Sequence, residues 1–350
     1  VDVQDSTKDQ PSVTPQSNLR AAQRIAVIGG GLSGLSAAVT LDQLGFDVEL
    51  FEAGRGLGGR ARSFREPSTG QTIDNCQHVS MGCCTALLDF CRRTTIDQLF
   101  DTHRQLHFFG PNNTSLDFTG RRWLPAPLHL LPDLMRFPYL SLQERCSIVA
   151  TMSRLKHKKS LTPDDDISVA TWLDQQGQSA HAIDRFWSVI LVSALGERLE
   201  RASLAAARKV FVDGFLASRN AYELRIPSVA LTDIFDRPMR AWFSERKIIV
   251  HLKTRVKQLE GDAGKVESVV LDSGQRLKFD SFVLAVPWHR IGSLLPRQIF
   301  AQVLALGNVG QIASAPITAV HMWFDRPITK LPHAVLVGRL GQWLFGRENL

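Results

Sequence analysis

No stretch of this 350-residue chain runs uninterrupted through the ~18 apolar residues that a membrane-spanning helix needs, and no C-x-x-C pair occurs in it. The first absence argues against an ordinary membrane span. The second argues against a metal cluster, since the adjacent Cys83 and Cys84 are poorly placed to share one tetrahedral ion. A secretory hydrophobic segment is also lacking, and the cysteines (Cys76, Cys83, Cys84, Cys91, Cys146) number five. An odd count without a leader points to a reducing cytoplasm, with the thiols read as small buried apolar side chains. Internal repeats, low-complexity tracts and nucleic-acid-binding motifs are absent, so nucleic acid is not an expected partner. Yet 41 basic residues against 34 acidic ones leave a net charge of +7. The basic residues are spread along the chain, which suits peripheral contact with an anionic membrane on its inner face; a merely basic soluble enzyme is the competing reading. Hydrophobic content of 44% and a mean hydropathy of −0.06 describe a globular chain. Its length suits two domains.

What is present begins at Arg24. Ile25 to Ile28 is a short apolar β run that meets Gly29-Gly30-Gly31-Leu32-Ser33-Gly34 without a spacer. A helix signal follows through Leu41, and a second strand from Val48 to Phe51 ends on Glu52. Strand, glycine turn, helix and acid-terminated strand form the dinucleotide-binding fingerprint in its required context. Gly29 permits the tight turn, Gly31 lets backbone approach a pyrophosphate, and Gly34 lets the helix lie against the strand. Leu32 and Ser33 open that helix, whose first N–H groups face the phosphates with a partial positive charge. Glu52 stands 18 residues after Gly34, placed to accept hydrogen bonds from ribose hydroxyls. An acid there argues against a 2′-phosphate.

The next residues separate FAD from NAD. After Glu52 the chain reads Ala53-Gly54-Arg55-Gly56-Leu57-Gly58-Gly59-Arg60-Ala61-Arg62-Ser63. An NAD domain would proceed to its next helix, whereas here a glycine pair, Gly58-Gly59, carries Arg60, suited to the phosphate or ribityl region of an extended cofactor. The pattern E-A-x(5)-G-G-R-x-x-S resembles the flavin amine oxidase and phytoene desaturase superfamily. The resemblance implies FAD as cofactor, held through Gly29, Gly31, Leu32, Ser33, Gly34, Glu52, Ala53, Gly59, Arg60 and Ser63.

Beyond Ser63, turn residues 67–70 suggest a hairpin. A helix is expected over 83–100 and short strands over 104–124. Helical periodicity dominates 141–155 and 168–213, with Asp164-Asp165-Asp166 as a polar break that caps the second stretch. From Lys247 the pattern reverts to strands: 248–252, 255–259, 266–271 and 276–279, then the buried run 280–287 ending on Pro287. In the superfamily the segment around Val256 lies on the adenine side, and the A-x-P strand ending at Pro287 returns to the cofactor. The expected fold is therefore α/β, a Rossmann-like FAD-binding domain (24–84 and 226–295) with an inserted, mainly helical substrate domain (85–225 and 296–350). Residues 1–23, rich in Gln, Ser, Asp, Thr and Pro, read as a disordered arm.

Asp74-Asn75-Cys76-Gln77-His78 with Met81-Gly82 is similar to the D-N-G-Q-H…G segment of hydroxysqualene dehydroxylases. The proline-rich run 124–131, Ala194-Leu195 with Ala202-Ser203, Ile226 to Thr232, and Gln342 to Phe345 carry the same likeness. It implies a long isoprenoid substrate and reductive removal of the hydroxyl of hydroxysqualene. His78 is then the candidate proton donor to the departing hydroxyl, Gln77 would position that hydroxyl, and Asp74 would set the histidine. The alternative for His78 is a hydrogen bond to cofactor or backbone. Cys76 stands where the family has glycine, and Gly196 where it has asparagine. The chain starts at Val1 rather than Met and stops at Leu350 before the family's closing Gly-Asp segment, so a truncated, weakly active product is expected. The rival readings are a carotenoid desaturase or isomerase, an amine oxidase, and a non-catalytic remnant. Amine oxidases flank the flavin with aromatic residues, and the only tyrosines of this chain are Tyr139 and Tyr222. Residues 121–140, with Arg121, Arg122 and Trp123 ahead of Leu124, Leu128, Leu130, Leu131, Leu134, Met135, Phe137 and Leu140, are expected to form a membrane-facing entrance; an apolar lining of the substrate domain is the competing reading.

Overall fold

A computed structural model describes residues 23–158, 167–262 and 264–347. The arm expected over 1–23 falls, except for Gln23, outside the described residues, as do the break at Asp164–Asp166 and the terminal Leu350. The chain divides into two compact units, one of residues 1–59 with 239–312 and the other of residues 60–238 with 313–350.

The first unit is built on β1 (Arg24–Ile28), α1 (Leu32–Gln43) and β2 (Asp47–Phe51). Its parallel sheet has the strand order Ile249–His251, β2, β1, Ser281–Leu284. Ala26 and Val27 of β1 and Leu35, Ala38 and Val39 of α1 are fully buried. Both faces of β1 are thus covered, as a nearly continuous apolar strand requires. An antiparallel meander, Val256–Asp262, Lys265–Leu271 and Arg276–Lys278, adds Leu259, Val269 and Leu271 to a core shared with Ile28, Phe51 and Phe279.

The second unit opens with a hairpin, β3 (Ser63–Arg65) against β4 (Thr72–Asp74). It continues through β5 (Ser80–Met81), α2 (Thr85–Arg93) and β6 (Phe100–His103), with Leu224–Pro227 lying between β5 and β6 in one sheet. A second sheet has the order Trp343–Phe345, His333–Leu336, Leu106–Phe109, Ser115–Phe118. Helices supply the rest. Leu142–His157 starts at a capping box in which Ser141 and Glu144 satisfy each other's backbone N–H, and Val169–Gln175 begins at a Ser168 cap. Two further helical stretches carry π turns, at Ile183–Trp187 and Lys209–Phe215. Their aromatic side chains interlock: Trp187 meets Phe211 edge-on with ring centroids 5.0 Å apart. Trp187 also donates its indole N–H to Gln178, at 2.8 Å.

The unit boundaries differ from the sequence-based ones at 84 and 226. Residues 60–84 and 226–238 belong with the second unit because β5 and β6 pair with Leu224–Pro227, and because Ser63 and Asp74 hydrogen-bond to Thr232 and Leu231. Residues 296–312 belong with the first unit. The 121–140 segment also departs from expectation. Leu130, Leu134, Phe137 and Leu140 are packed into the core of the second unit, leaving Trp123 (76% exposed) and Leu128 (49%) as its outward apolar groups. Of the cysteines only Cys91 is buried, while Cys84 and Cys146 are exposed. No described helix is long and apolar enough to cross a membrane.

Candidate functional site

In the first unit the site is shaped by two places where a side chain cannot go. Gly29 adopts φ +109°, and a Cβ there would lie 2.3 Å from the Ala285 carbonyl oxygen; one on Gly34 would lie 1.8 Å from the Gly29 oxygen. These contacts draw β1, α1 and the strand before Ala285 into one close turn. Gly31 differs: a Cβ there would meet only the Gly59 Cα, at 3.9 Å. The backbone at Gly31 is therefore open on the side where α1 begins, and α1 has no side-chain cap on its first N–H groups. Open backbone at an uncapped helix N-terminus is a cradle for phosphate oxygens, so the residues fit a dinucleotide. Leu32 and Ser33 supply the first N–H groups.

Glu52 ends β2 and holds the neighbouring backbone. One carboxylate oxygen accepts from Gly30 N at 2.7 Å, the other from Gly54 N at 2.5 Å. Each oxygen keeps a further lone pair for a ribose hydroxyl. Ala53 is exposed beside it. Leu57, fully buried, wedges under Gly30, and Gly58 donates to the Gly30 carbonyl at 2.8 Å. Ala285 is the first residue of the A-x-P ending, and Leu57 lies within the glycine-rich run that follows Glu52. Val256 is buried where the meander starts, and Pro287, exposed, caps the helix Trp288–Leu294.

Arg60, in the second unit, is exposed and without an ion pair among the described residues. Ser63 is committed elsewhere. Its hydroxyl donates to Asp74 at 2.7 Å and accepts from Thr232 N at 3.0 Å, while Ser63 N donates to the Thr232 hydroxyl at 3.0 Å. Asp74, buried, also accepts from Leu231 N at 2.9 Å and from Arg347. Asp74 makes these three hydrogen bonds and none to His78 among the described residues. The His78 ring is oriented by the Cys76 carbonyl, 2.8 Å from Nδ1. Gln77 reaches only the His78 carbonyl, at 3.4 Å. Leu231 and Thr232 belong to the run that carries the family likeness, but nothing in the sequence links them or Arg347, all more than 150 residues away along the chain, to Asp74.

The two departures from the family pattern are mild here. Cys76 is not among the residues with positive φ, so the position does not require glycine. Gly196 caps the helix Ser188–Leu195 at φ +65°, a conformation that asparagine also adopts. Both tyrosines are structural: Tyr222 donates to the Arg104 carbonyl and accepts from Gly120 N, each at 2.9 Å, and Tyr139 packs on Phe137.

The family model for flavin-containing amine oxidoreductases matches residues 32–348. The chain belongs to this family. Its cofactor is FAD. Relatives include the zeta-carotene desaturase of Synechocystis sp., 24% identical over 93% of this chain and 70% of the relative. The 15-cis-phytoene desaturase of Capsicum annuum is 25% identical over 90% of this chain and 55% of its own. The hydroxysqualene dehydroxylase of Zymomonas mobilis is 24% identical over 92% and 74%. Among solved structures, an oxidoreductase from Methanosarcina mazei superposes with a TM-score of 0.59 at 16% identity, covering 80% of this chain and 62% of that one. Putrescine oxidase bound to putrescine gives 0.58 at 17%, with 79% and 62% covered. Both share the fold. The chain spans little more than half the length of the plant relative, and under two thirds of these structures.

Proposed function

We propose that this chain forms part of an FAD-dependent oxidoreductase that acts on a long isoprenoid, reductively removing the hydroxyl of hydroxysqualene to give squalene. The relatives named above support the isoprenoid, since all three carry isoprenoid names at similar identity. The observation that favours dehydroxylation is the state of His78. Because Nδ1 faces the Cys76 carbonyl, it carries the hydrogen, and Nε2 is the nitrogen that exchanges protons. As the imidazolium, Nε2–H protonates the departing oxygen, so that water rather than hydroxide leaves. When bound, reduced FAD supplies the hydride that replaces the hydroxyl at carbon. One hydride and one proton convert R–OH to R–H and water, and the step balances. Asp74 and Ser63 serve this reading by holding the hairpin that precedes Cys76 and His78.

The test is anaerobic incubation of the reduced protein with hydroxysqualene, with extraction and chromatography of the product. Squalene in amounts matching the flavin is expected, and His78→Phe should abolish it while retaining flavin. Desaturation is the second reading, favoured by the desaturase relatives. Unreacted hydroxysqualene beside dehydrogenation of phytoene or zeta-carotene by the oxidised protein would establish it instead. For membrane delivery of such a substrate, the exposed Arg122, Trp123 and Leu128 offer a peripheral contact. Replacing Arg122 and Trp123 should release the protein from anionic liposomes in flotation; unchanged flotation would remove this segment from consideration.

A further inference from the structure

A small cavity of about 220 Å³ in the second unit lies between β5, α2 and β6, lined by Ser80, Cys91, Arg92, Asp97, Phe100 and Arg225 among others. Its size is below the 300–1,000 Å³ of drug-sized ligand pockets, so its occupant is small. Several of its polar side chains have no protein partner among the described residues. Neither Arg92 nor Arg225 forms a salt bridge among the described residues, and Arg225 Nε is buried without a hydrogen-bond partner. The carboxylate of Asp97 and the hydroxyl of Ser80 likewise make no hydrogen bond among the described residues, although Ser80 is only 7% exposed. Burial, with the nearby Asp97 charge, pushes the Cys91 thiol up to about 12. Arg92 and Asp97 are exposed and solvated, so the unmet demand lies with the buried Arg225 Nε, a donor without an acceptor; the two arginines and one aspartate that line the cavity give it a net charge of +1.

We propose that this cavity binds a hydrogenphosphate group, with Arg92, Arg225 and Ser80 donating to its oxygens and Asp97 accepting its P–O–H hydrogen. One carboxylate among the arginines distinguishes this from a general anion site. Phosphate keeps a hydrogen near neutral pH and satisfies Asp97, whereas sulfate has none and places bare oxygens against it. Chloride satisfies neither need for directed hydrogen bonds. The group could belong to free phosphate or to a phosphate monoester, and the two present the same oxygens to the arginines.

Calorimetric titration of the purified, FAD-loaded protein at pH 6 and constant ionic strength tests the site, with inorganic phosphate, methyl phosphate and sulfate as probes. Inorganic phosphate, methyl phosphate or both should bind with a Kd of about 1 mM or tighter. Sulfate should bind at least tenfold more weakly. Tight methyl phosphate binding would assign a monoester, and its exclusion would assign the free ion. Arg225→Gln and Arg92→Gln should each weaken phosphate at least tenfold, and Asp97→Asn should erase the preference over sulfate, all without loss of flavin absorbance. Should a variant fail to fold, the unaltered protein still decides. Phosphate should slow modification of Cys91 by a small neutral thiol reagent while leaving the exposed Cys146 unaffected. Absence of phosphate binding, equal binding of sulfate, or undiminished binding in a folded Arg225→Gln would each overturn the proposal, as would an unchanged Cys91 rate.

Discussion

The turn at Gly29–Gly34 in the first unit and the cluster around Asp74 in the second are both held rigidly, by opposite means. In the turn, rigidity comes from missing side chains: the Gly29 and Ala285 carbonyls occupy the space where Cβ atoms of Gly34 and Gly29 would lie. Around Asp74 it comes from side chains that are present: one buried carboxylate gathers a hydroxyl, a backbone N–H and a guanidinium from three parts of the chain. The first arrangement leaves backbone N–H groups open toward a ligand, while the second spends its hydrogen bonds on the chain itself. Binding cofactor and bracing the fold are therefore assigned to different regions, and substitutions should separate them.

The largest effect is expected at the turn. Gly34→Val places side-chain atoms inside the Gly29 carbonyl and should cost about 4 kcal/mol or more. Purified variant protein should lack the flavin absorbance of the parent; a variant that retains it would break the comparison at its first term. Asp74→Ala comes next. It strands the Ser63 hydroxyl, the Leu231 N–H and Arg347, and should cost about 3 kcal/mol in urea denaturation. Glu52→Gln sharpens the contrast. The amide can still accept from Gly30 or Gly54 but is a weaker acceptor for ribose, so FAD affinity should fall by roughly 10–100-fold, the value of one hydrogen bond to a charged group.

A pH effect should distinguish the two units. His333, buried in the second unit, has its pKa lowered to about 4, by burial first and then by the neighbouring His103 and His107. Its unfolded pKa lies near 6.5, so between these values the unfolded chain binds the extra proton. Stability from this group is complete above pH 6.5 and is lost as pH falls towards 4. Denaturation midpoints of the second unit should drop over that interval, and His333→Phe should flatten the slope. The smallest effect is expected for Gly196→Asn, where the left-handed cap suits asparagine and the new Cβ meets only Ile317, at 3.5 Å. Its melting temperature should stay close to the parent's, whereas Gly196→Val should lower it measurably.

The same contrast explains what could be read from sequence. Close backbone approach leaves a sequence trace, because only glycine tolerates it. Gly29, Gly31, Gly34 and Glu52 therefore pointed to their turn, and the parallel sheet followed from the apolar runs on either side. Ser63 and Asp74 left a trace of another kind, a family pattern without its partners. Thr232 and Arg347 lie 169 and 273 residues from the groups they bond, and no local periodicity links such positions. Asp74 was accordingly expected to set His78, although that histidine is held by a carbonyl two residues away. The apolar run at 121–140 leaves two readings open in sequence for a related reason. A lipid-facing and a core-facing leucine look alike until packing shows that Leu130 and Leu134 point inward.

The division of labour between the two regions is tested most directly by a crossed measurement on two variants, FAD titration by flavin fluorescence beside urea denaturation of the flavin-free protein. Glu52→Gln should raise the FAD Kd at least tenfold with little change in the unfolding midpoint. Asp74→Asn should lower the midpoint while changing the Kd less than threefold. Weakened FAD binding in Asp74→Asn with an undisturbed midpoint, or destabilisation by Glu52→Gln with full affinity, would contradict it.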